Sequence, residues 1–290
     1  MKRILVTGSN GQLGSELYEL SRKNEYPYEF YFKPHRELDI TKPGNVQSFL
    51  EATPADYIIN CAAYTDVDMA EKERQKAVLV NHTAVKNLVK ASASIEAALI
   101  HISTDYVFEG TACIPYREED EPNPLSVYGM SKLGGEQEVL NYGKGLVIRT
   151  SWLYSPVGRN FLNSMVNLGK EKNEIRVVYD QVGSPTSAAD LAKVILDVID
   201  HSEIDGNPFR KGLFHYANEG VCSRYDLAVE IMNAAKLSCR VIPVETSEYP
   251  TPAKRPHYCV LNKSKVKREY SIDIPYWKDS LLKCIERINL

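Results

Sequence analysis

The first half of the chain alternates short apolar runs with segments of helical periodicity, and no other feature constrains the fold as strongly. Apolar runs predict strands at residues 4–6, 30–32, 57–61, 98–102 and 146–148. Helical spacing predicts the connections at residues 12–22, 46–50, 71–94 and 131–140. Strands that are apolar throughout and separated by helices favour a parallel sheet covered on both faces. With right-handed crossovers, the prediction is an α/β fold built on a Rossmann-like doubly wound parallel sheet.

After about Ser151 this alternation breaks, and prolines and glycines become frequent. Helices are predicted at residues 160–170, 188–199, 224–235 and 276–288. Short strands are predicted at residues 176–179, 213–216 and 239–243. We therefore predict a dinucleotide-binding Rossmann-like domain over residues 1–150 and a smaller, mainly substrate-binding α/β lobe over residues 151–290. A later return of the chain to the sheet is left open.

Composition and charge exclude several classes of protein. The chain has 290 residues, with 35 Lys plus Arg against 38 Asp plus Glu, so its formal net charge is -3. That balance argues against a strongly basic nucleic-acid binder, and no apolar run approaches the ~18 residues of a membrane helix. The six cysteines include no C-x-x-C pair, which is typical of reduced thiols in a cytosolic protein. We expect a cytoplasmic protein with no targeting segment and with neither nucleic acid nor membrane as a partner.

A glycine-rich turn joins the first predicted strand to the first predicted helix. Gly8, Gly11 and Gly14 follow the spacing G-x-x-G-x-x-G. Glycine lets the backbone approach a ligand closely, and the free N–H groups of a helix N-terminus attract a pyrophosphate. The pattern alone is weak, because glycines also make tight turns. Its place directly behind an apolar strand favours a dinucleotide site.

The loop after the second predicted strand is rich in cations. Lys33, His35 and Arg36 stand where an acid would hold the ribose 2′-hydroxyl of NAD, whereas a cation favours the 2′-phosphate of NADP. We therefore expect NADPH as the preferred cofactor, with NADH left open by Glu37. The alternative is that this charge run is an ordinary solvated loop.

Tyr128 and Lys132 are four residues apart in the pattern Y-x-x-x-K. On a helix they lie on one face, about 6 Å apart along the axis. A phenol is a poor acid or base near neutral pH, and a neighbouring ammonium should lower its pKa. The pair could then exchange a proton with a carbonyl or an alcohol. Alone the motif occurs by chance on surfaces, but here it follows a glycine turn and four strands.

Two hydroxyl side chains, Ser103 and Thr104, stand at the end of the fourth predicted strand. Ligands of open α/β sheets bind at the carboxyl ends of the strands. Either hydroxyl could bond a substrate oxygen and share a proton path with Tyr128. The alternative for both is a helix cap or a strand-end turn.

Nine segments spread along the chain match motifs of one protein family. They lie at residues 7–14, 38–41, 60–65, 67–71, 103–108, 128–132, 149–154, 180–186 and 253–256. The segments Asp180-Gln181-x-Gly183-x-Pro185-Thr186 and Arg149-Thr150-Ser151-Trp152 are far more specific than the glycine turn or Y-x-x-x-K. The chain resembles the extended short-chain dehydrogenase/reductase superfamily and, within it, the dTDP-4-dehydrorhamnose reductase family.

The resemblance implies an activity and a catalytic set. The reaction would be the NAD(P)H-dependent reduction of the C4 keto group of a nucleotide-linked 4-keto-6-deoxy sugar. The dTDP-linked substrate expected is dTDP-4-dehydro-6-deoxy-L-mannose, and the product is dTDP-L-rhamnose. Tyr128 would be the general acid, Lys132 would hold the nicotinamide ribose and tune Tyr128, and Thr104 would assist.

The resemblance also implies which residues bind cofactor and substrate. The candidate cofactor-binding residues are Gly8, Asn10, Gly11, Gln12, Leu13, Gly14, Lys33, Arg36, Asp39, Ile40, Cys61, Ala62, Ala63, Tyr64, Ser103, Tyr128 and Lys132. With Thr104 and Tyr128, the candidate substrate contacts are Asp105 and Trp152 for the sugar and Arg255 for the diphosphate. The alternatives are a core role for Trp152, a surface ion pair for Arg255, and a turn or helix cap for Asp39.

One departure from the family concerns a metal. Some members bind magnesium through glutamates at a dimer interface, and Glu16 matches one such ligand. The second glutamate is replaced by Ala189, with Asp190 beside it. We therefore expect no bound metal, a solvated Glu16, and a monomer or a homodimer.

Three other functions stay open on sequence grounds. A related dehydratase would carry Thr-Asp-Glu where this chain has Thr104, Asp105 and Tyr106, so elimination lacks its glutamate. An epimerase or reductase acting on a different sugar nucleotide is a second alternative. A non-catalytic, cofactor-binding regulatory subunit is the third, and the intact Tyr128 and Lys132 weaken it.

Overall fold

Twelve strands form a central sheet and three small ribbons in the computed structural model, which describes residues 1–23 and 25–288. The strands are β1 (Lys2–Thr7), β2 (Tyr28–Lys33), β3 (Tyr57–Asn60), β4 (Ala98–Thr104), β5 (Gly145–Thr150), β6 (Leu153–Tyr154), β7 (Glu174–Val178), β8 (Val182–Gly183), β9 (Thr186–Ser187), β10 (Gly212–His215), β11 (Cys222–Ser223) and β12 (Arg240–Val244). The five strands predicted for the first half are all present.

The α-helices that connect these strands include the predicted ones. They are α1 (Gln12–Ser21), α2 (Pro43–Ala52), α3 (Val67–Lys72), α4 (Arg74–Val78), α5 (Ala84–Ser94), α6 (Val127–Leu140), α7 (Phe161–Glu171), α8 (Ala188–Glu203), α9 (Arg224–Ala234), α10 (Ser264–Tyr270) and α11 (Trp277–Glu286). Sequence periodicity did not predict α10. None of the helices within the described residues is both long enough and apolar enough to span a membrane.

The central sheet has the strand order β10-β5-β4-β3-β1-β2, and every neighbouring pair is parallel. From β1 the chain moves outward to β2 and then returns to β3 on the other side of β1. The direction of winding therefore reverses between β1 and β3. Such a reversal opens a crevice at the carboxyl ends of the strands, where doubly wound folds bind their ligands. The predicted doubly wound parallel sheet is confirmed.

Helices cover both faces of this sheet, as continuously apolar strands require. Ile4 and Val6 of β1 are fully buried on the face covered by α1, α8 and α10. Leu5, between them, is fully buried on the opposite face, under α2 and α5. This alternation follows from the two-residue repeat of a strand.

The chain returns to the central sheet after residue 150, the case that the sequence left open. β10 pairs in parallel with β5, with Leu213 opposite Val147. α8 packs against the sheet beside α1, burying Leu191 and Ile195 completely. The first 150 residues therefore do not complete the sheet alone.

Much of the second half of the chain forms a separate core beside the sheet. The ribbons β6–β9, β7–β12 and β8–β11 lie there with α7, α9 and α11. Leu162, Ile231 and Leu281 are among the side chains buried between these elements. This smaller lobe meets the carboxyl edge of the sheet where Asn160 donates to Gln12 and Thr150 donates to Thr186. We call the region between the lobe and that edge the cleft.

A buried ion pair joins α6 to β5. Arg149 Nε donates to Glu136 Oε1 at 2.9 Å and Arg149 Nη2 donates to Glu136 Oε2 at 2.7 Å, with both side chains almost completely excluded from solvent. The Arg149 guanidinium also lies 5.0 Å from the centroid of the Phe108 ring. Such a bidentate geometry compensates the desolvation of both charges only while both partners are present.

Glu136→Ala should therefore lower the free energy of unfolding by about 3–5 kcal/mol, because it leaves a buried guanidinium without its partner. Urea unfolding measures the change. The matched control is Glu138→Ala on the same helix, where the carboxylate lies 3.3 Å from both His82 and Lys86 in partly exposed ion pairs. That control should change stability by under about 1 kcal/mol, and equal losses for the two variants would contradict the argument.

Candidate active site

The turn between β1 and α1 is shaped for a close backbone approach. Gly8 has a φ of +63°, and a Cβ there would lie 2.6 Å from the backbone nitrogen of Ala62. A Cβ at Gly14 would lie 2.5 Å from the Cα of Ser9. Only glycine fits at both positions. The turn therefore packs on the segment after β3, which carries the predicted residues 61–64, at the point where the winding of the sheet reverses.

The first turn of α1 keeps its N–H groups free for a ligand. Gly11 is the N-cap and has no side chain with which to cap the helix. Gln12 Oε1 accepts a hydrogen bond from Asn160 Nδ2 at 2.9 Å, so the loop before α7 reaches the turn. Asn10 is exposed, whereas Leu13 is buried in the core behind the turn. The close-packed glycines and the uncapped helix fit the pyrophosphate of a dinucleotide.

The cationic loop predicted after β2 lies at the edge of this crevice. Lys33 Nζ is 3.3 Å from Glu37 Oε2, and Arg36 is well exposed with its Nε 3.8 Å from Glu37 Oε1. The Asp39 carboxylate accepts hydrogen bonds from the backbone and the hydroxyl of Thr41. Partial burial works to raise the pKa of Asp39, but these bonds and nearby cations hold it below its usual value. Ile40 beside it is buried.

Tyr128 and Lys132 both lie on α6, which starts at Val127 with Ser126 as its cap. Lys132 Nζ donates to the backbone oxygen of Ile102 at 2.5 Å and lies 3.4 Å from His101 Nε2. Burial lowers the pKa of Lys132 to about 8, against the opposing charge of Glu136. The helix therefore places both predicted side chains against the end of β4.

The expected lowering of the Tyr128 pKa by Lys132 is wrong. Burial raises the pKa of Tyr128 above its ordinary value, the charge of Asp105 adds to the rise, and a hydrogen bond with Thr104 opposes it. Removing water from the phenol penalises its charged form, and that penalty sets the direction of the shift.

Three polar side chains are buried at the end of β4, and two of them keep hydrogen-bonding capacity to spare. Thr104 Oγ1 donates to Asp105 Oδ1 at 2.9 Å and accepts from the backbone N–H of Tyr106, which makes it a cap of the following turn. Ser103 Oγ and Asp105 Oδ2 are buried and lack a hydrogen-bond partner among the described residues. Burial raises the pKa of Asp105 to about 6, although Thr104 opposes the shift. Unsatisfied buried oxygens at this edge are suited to a polar ligand.

Trp152 is held in an unusual backbone conformation beside these residues. Its φ of 47° lies in the left-handed region that non-glycine residues seldom adopt. One side of the indole packs so closely on Gly183 that a Cβ there would lie 2.8 Å from Trp152 Cε2. On the ring face the guanidinium of Arg224 lies 3.7 Å from the centroid. Strain of this kind clusters at ligand sites.

Arg255 already has one partner and keeps one free edge. Its Nη2 donates to Asp68 Oδ2 at 2.7 Å. Its Nη1 is buried and lacks a partner among the described residues. The Arg255 guanidinium therefore forms an ion pair with Asp68 and still has an N–H donor available for a ligand.

Sequence reasoning missed three side chains that hold or line this site. Asn81 lies in a π-helical turn (Leu79–Thr83) and is hydrogen-bonded to both the backbone N–H and the C=O of Tyr64. Its Nδ2 also donates to the hydroxyl of Ser131 at 2.9 Å. His101 Nδ1 lies 3.0 Å from Asn60 Nδ2, behind Lys132. Arg224 contributes the cation on Trp152. None of the three stands in a local spacing that signals its partner.

Glu16 is not the solvated residue that was expected. It is only 4% exposed, and its Oε2 accepts from Arg287 Nη1 at 2.9 Å. Ala189 lines the same small cavity and supplies no ligand. Across residues 1–23 and 25–288, no group of three or more His, Cys, Asp or Glu is placed to hold a metal. A carboxylate already neutralised by a guanidinium does not fit the magnesium site of the family.

The chain is similar over its whole length to proteins of one family. A model of the RmlD substrate binding domain matches residues 1–290. The dTDP-4-dehydrorhamnose reductase of Aggregatibacter actinomycetemcomitans is 37% identical over 97% of each chain. The crystal structure of the dTDP-4-dehydrorhamnose reductase from Clostridium acetobutylicum is 42% identical, with a TM-score of 0.91 over 98% of each chain. The enzyme of that name from Bacillus anthracis, in complex with NADP, is 39% identical, with a TM-score of 0.91 over 99% of each chain.

The raised pKa of Asp105 predicts a pH-dependent stability difference. Its folded-state pKa of about 6 exceeds the unfolded value, so the wild-type protein loses stability as the pH rises from about 4 to 6. Asp105→Asn removes that loss and should raise the free energy of unfolding at pH 8 by about 2–3 kcal/mol. The gain should vanish at pH 4. Urea unfolding at both pH values measures it.

Asp180→Asn is the matched control with the opposite sign. Hydrogen bonds from Thr246 outweigh partial burial and hold the pKa of Asp180 below its usual value. Its charge therefore stabilises the fold above the unfolded pKa, and the stabilisation is lost at low pH. The control should be less stable than wild type at pH 8. A stability loss in Asp105→Asn at pH 8 would contradict the argument.

Proposed function

This chain belongs to the RmlD substrate binding domain family, and on that premise we propose that it reduces dTDP-4-dehydro-6-deoxy-L-mannose to dTDP-L-rhamnose. The reaction is the nicotinamide-dependent reduction of a C4 keto group on a nucleotide-linked 6-deoxy sugar. The observation that carries the proposal is the whole-length similarity to dTDP-4-dehydrorhamnose reductases, at 42% identity and a TM-score of 0.91 in one solved structure. The convergence of Tyr128, Lys132 and Thr104 at the end of β4 supports it.

When bound, the nicotinamide cofactor supplies the hydride that adds to C4. Tyr128 donates its phenolic proton to the C4 oxygen, so that the ketone becomes an alcohol. Burial raises the pKa of Tyr128 and so keeps the phenol protonated at neutral pH, as a general acid requires. The Thr104 hydroxyl bonds the same substrate oxygen and orients it for transfer. Solvent restores the proton to Tyr128 after the product leaves.

The crevice between β1 and β3 would hold the cofactor. Free N–H groups of Gln12 and Leu13 at the start of α1 would bind its pyrophosphate, and the glycines of the turn would allow that approach. Lys132 Nζ, anchored on Ile102, would donate to the nicotinamide ribose.

Residues 61–64 and the unpartnered Ser103 hydroxyl would line the cofactor from the side of β3 and β4. Asp39 and Ile40 would contact its adenine end.

NADPH is the preferred cofactor in this proposal. Lys33 and Arg36 lie at the end of β2, where the 2′-phosphate of NADP would project. The side chains of Lys33 and Arg36 can leave Glu37 for a phosphate, because their ion pairs with Glu37 are partly exposed and contribute little free energy. The Bacillus anthracis structure was solved with NADP, which agrees with this preference.

The sugar nucleotide binds across the cleft from the cofactor, mainly against the smaller lobe of residues 151–290. The free Oδ2 of Asp105 accepts a sugar hydroxyl, and Trp152 contacts the sugar beside it. Arg255 meets the diphosphate through its free Nη1. Three elements of residues 151–290 belong instead to the cofactor side: β10 completes the central sheet, and α8 and α10 cover one of its faces.

A coupled assay tests the proposal. Purified protein receives dTDP-4-dehydro-6-deoxy-L-mannose, made in place from dTDP-glucose by a dehydratase and an epimerase, with NADPH or NADH in separate cuvettes. We expect loss of nicotinamide absorbance, faster with NADPH, and dTDP-L-rhamnose as the product.

Tyr128→Phe should lower kcat by at least about 100-fold, since it removes the proton donor, while cofactor binding is largely retained.

Oxidation of neither cofactor by a folded protein that binds NADPH would refute the substrate. That outcome would favour another sugar nucleotide first and a non-catalytic subunit second. Substantial turnover by Tyr128→Phe would refute its role as proton donor.

Lys33→Gln should raise the KM for NADPH by about 10-fold and leave that for NADH nearly unchanged, because it removes a charge-assisted bond to the 2′-phosphate. Initial rates with each cofactor measure both constants. Lys193→Gln is the matched control, since Lys193 also pairs with an acid four residues on, Asp197, but lies on α8 away from the crevice. Equal changes in the two KM values would show that Lys33 does not sense the phosphate.

A further inference from the structure

Arg224 places a guanidinium in the cleft without an anionic partner. It is the first residue of α9, and its central carbon lies 3.7 Å from the centroid of the Trp152 ring and 5.1 Å from that of Phe161. Within the described part of the chain, the side chain makes neither an ion pair nor a hydrogen bond. Stacking satisfies the flat faces of a guanidinium but not its rim, which carries five N–H donors.

A second guanidinium adds to the positive charge of this part of the cleft. Arg255 keeps a buried, unpartnered Nη1 on the side away from Asp68. Burial lowers the pKa of Arg224, and the like charge of Arg255 lowers it further. Tyr106, whose pKa both cations work to lower, lies near the two side chains. Two partly dry cations with free donors are stabilised by an anion that bridges them.

The position of Arg224 identifies which phosphates it could reach. The cofactor pyrophosphate has its site at the start of α1, beside β1 and β3. Arg224 instead belongs to the smaller lobe, stacks on Trp152, and lies near both Asp105 and Arg255. In the proposed function Asp105 binds the sugar and Arg255 the diphosphate, so the anion within reach of Arg224 is the diphosphate of the sugar nucleotide, which carries two negative charges.

We infer that Arg224 binds the diphosphate of the substrate, opposite Arg255, with Trp152 holding the plane of its guanidinium. The inference rests on the proposed function for the identity of the sugar nucleotide. The ligand class that it requires is any nucleoside diphosphate with a free or sugar-linked β-phosphate. A guanidinium fork bonds two oxygens of such a group at once, which lysine does not.

The test is ligand binding by full-length Arg224→Gln with saturating NADP. Titration calorimetry with dTDP should show affinity reduced by about 10- to 100-fold, the range for losing a hydrogen-bonded charge pair. Thymidine binding, followed by ligand-observed NMR, and NADPH affinity should stay within about twofold of wild type. Arg224→Lys should fall between the two proteins, because it keeps the charge and loses the fork.

Arg176→Gln is the matched control, because it also removes one arginine charge from the smaller lobe. Arg176 lies on β7 and donates to exposed Glu248 at 2.7 Å, outside the cleft. Its dTDP affinity should equal that of wild type. A dTDP affinity unchanged in Arg224→Gln would overturn the inference. Equal losses for dTDP and thymidine would overturn it too, since they would mean that Arg224 only supports Trp152.

Measuring the binding of dTDP, UDP and GDP distinguishes a failure of this inference from a failure of the proposed function. If wild type binds UDP or GDP more tightly than dTDP, the dTDP-sugar assignment fails. The inference is then decided by whether Arg224→Gln weakens the preferred nucleotide more than its nucleoside. Wild-type protein that binds none of the three diphosphates would refute the inference itself.

Discussion

Burial of charge at the carboxyl ends of β4 and β5 is the constraint on which the rest of the site depends. The Glu136–Arg149 pair fixes α6 to β5 with almost no exposure to water. Because α6 is fixed, Lys132 can stay buried with its ammonium on the carbonyl of Ile102. Removing water strengthens each of these interactions and raises the cost of breaking any one. The candidate catalytic groups are therefore positioned by buried interactions that leave them few alternative arrangements.

The fold could be predicted largely from local periodicity, and its departures arise from contacts between residues distant in the sequence. Each of the five strands in the first half is an apolar run, and such a run predicts a strand whichever neighbour the strand pairs with. The return of β10 to the sheet could not be predicted, because Leu213 and Phe214 would suit any sheet edge. Residues 71–94, predicted as one or two helices, also contain a π-helical turn that carries Asn81. That turn reflects a contact with Tyr64, which helical spacing does not encode.

Within the candidate site, too, the residues that were predicted depend on local spacing, whereas those that were missed depend on contacts between distant parts of the chain. Tyr128 and Lys132 share one helix, so their spacing alone brings them together. Arg224 meets Trp152 only after the chain has folded, and His101 meets Lys132 across two elements. The direction of the pKa shift of Tyr128 was missed for a related reason. A sequence displays nearby charges, but it does not display how completely the fold removes water from a side chain.

Burial acts on the groups of this cleft in one common sense, toward their neutral forms. It raises the pKa of Tyr128 and that of Asp105, and it lowers that of Lys132. Burial lowers the pKa of Arg224 as well, but the ordinary pKa of an arginine lies so far above neutral pH that its guanidinium stays charged. At neutral pH a charged Arg224 therefore lies in the same cleft as a Tyr128 phenol that stays neutral. Under the proposed function, Arg224 and Arg255 would bind the phosphates of the substrate, and its neutral ketone would meet Tyr128 as a protonated phenol.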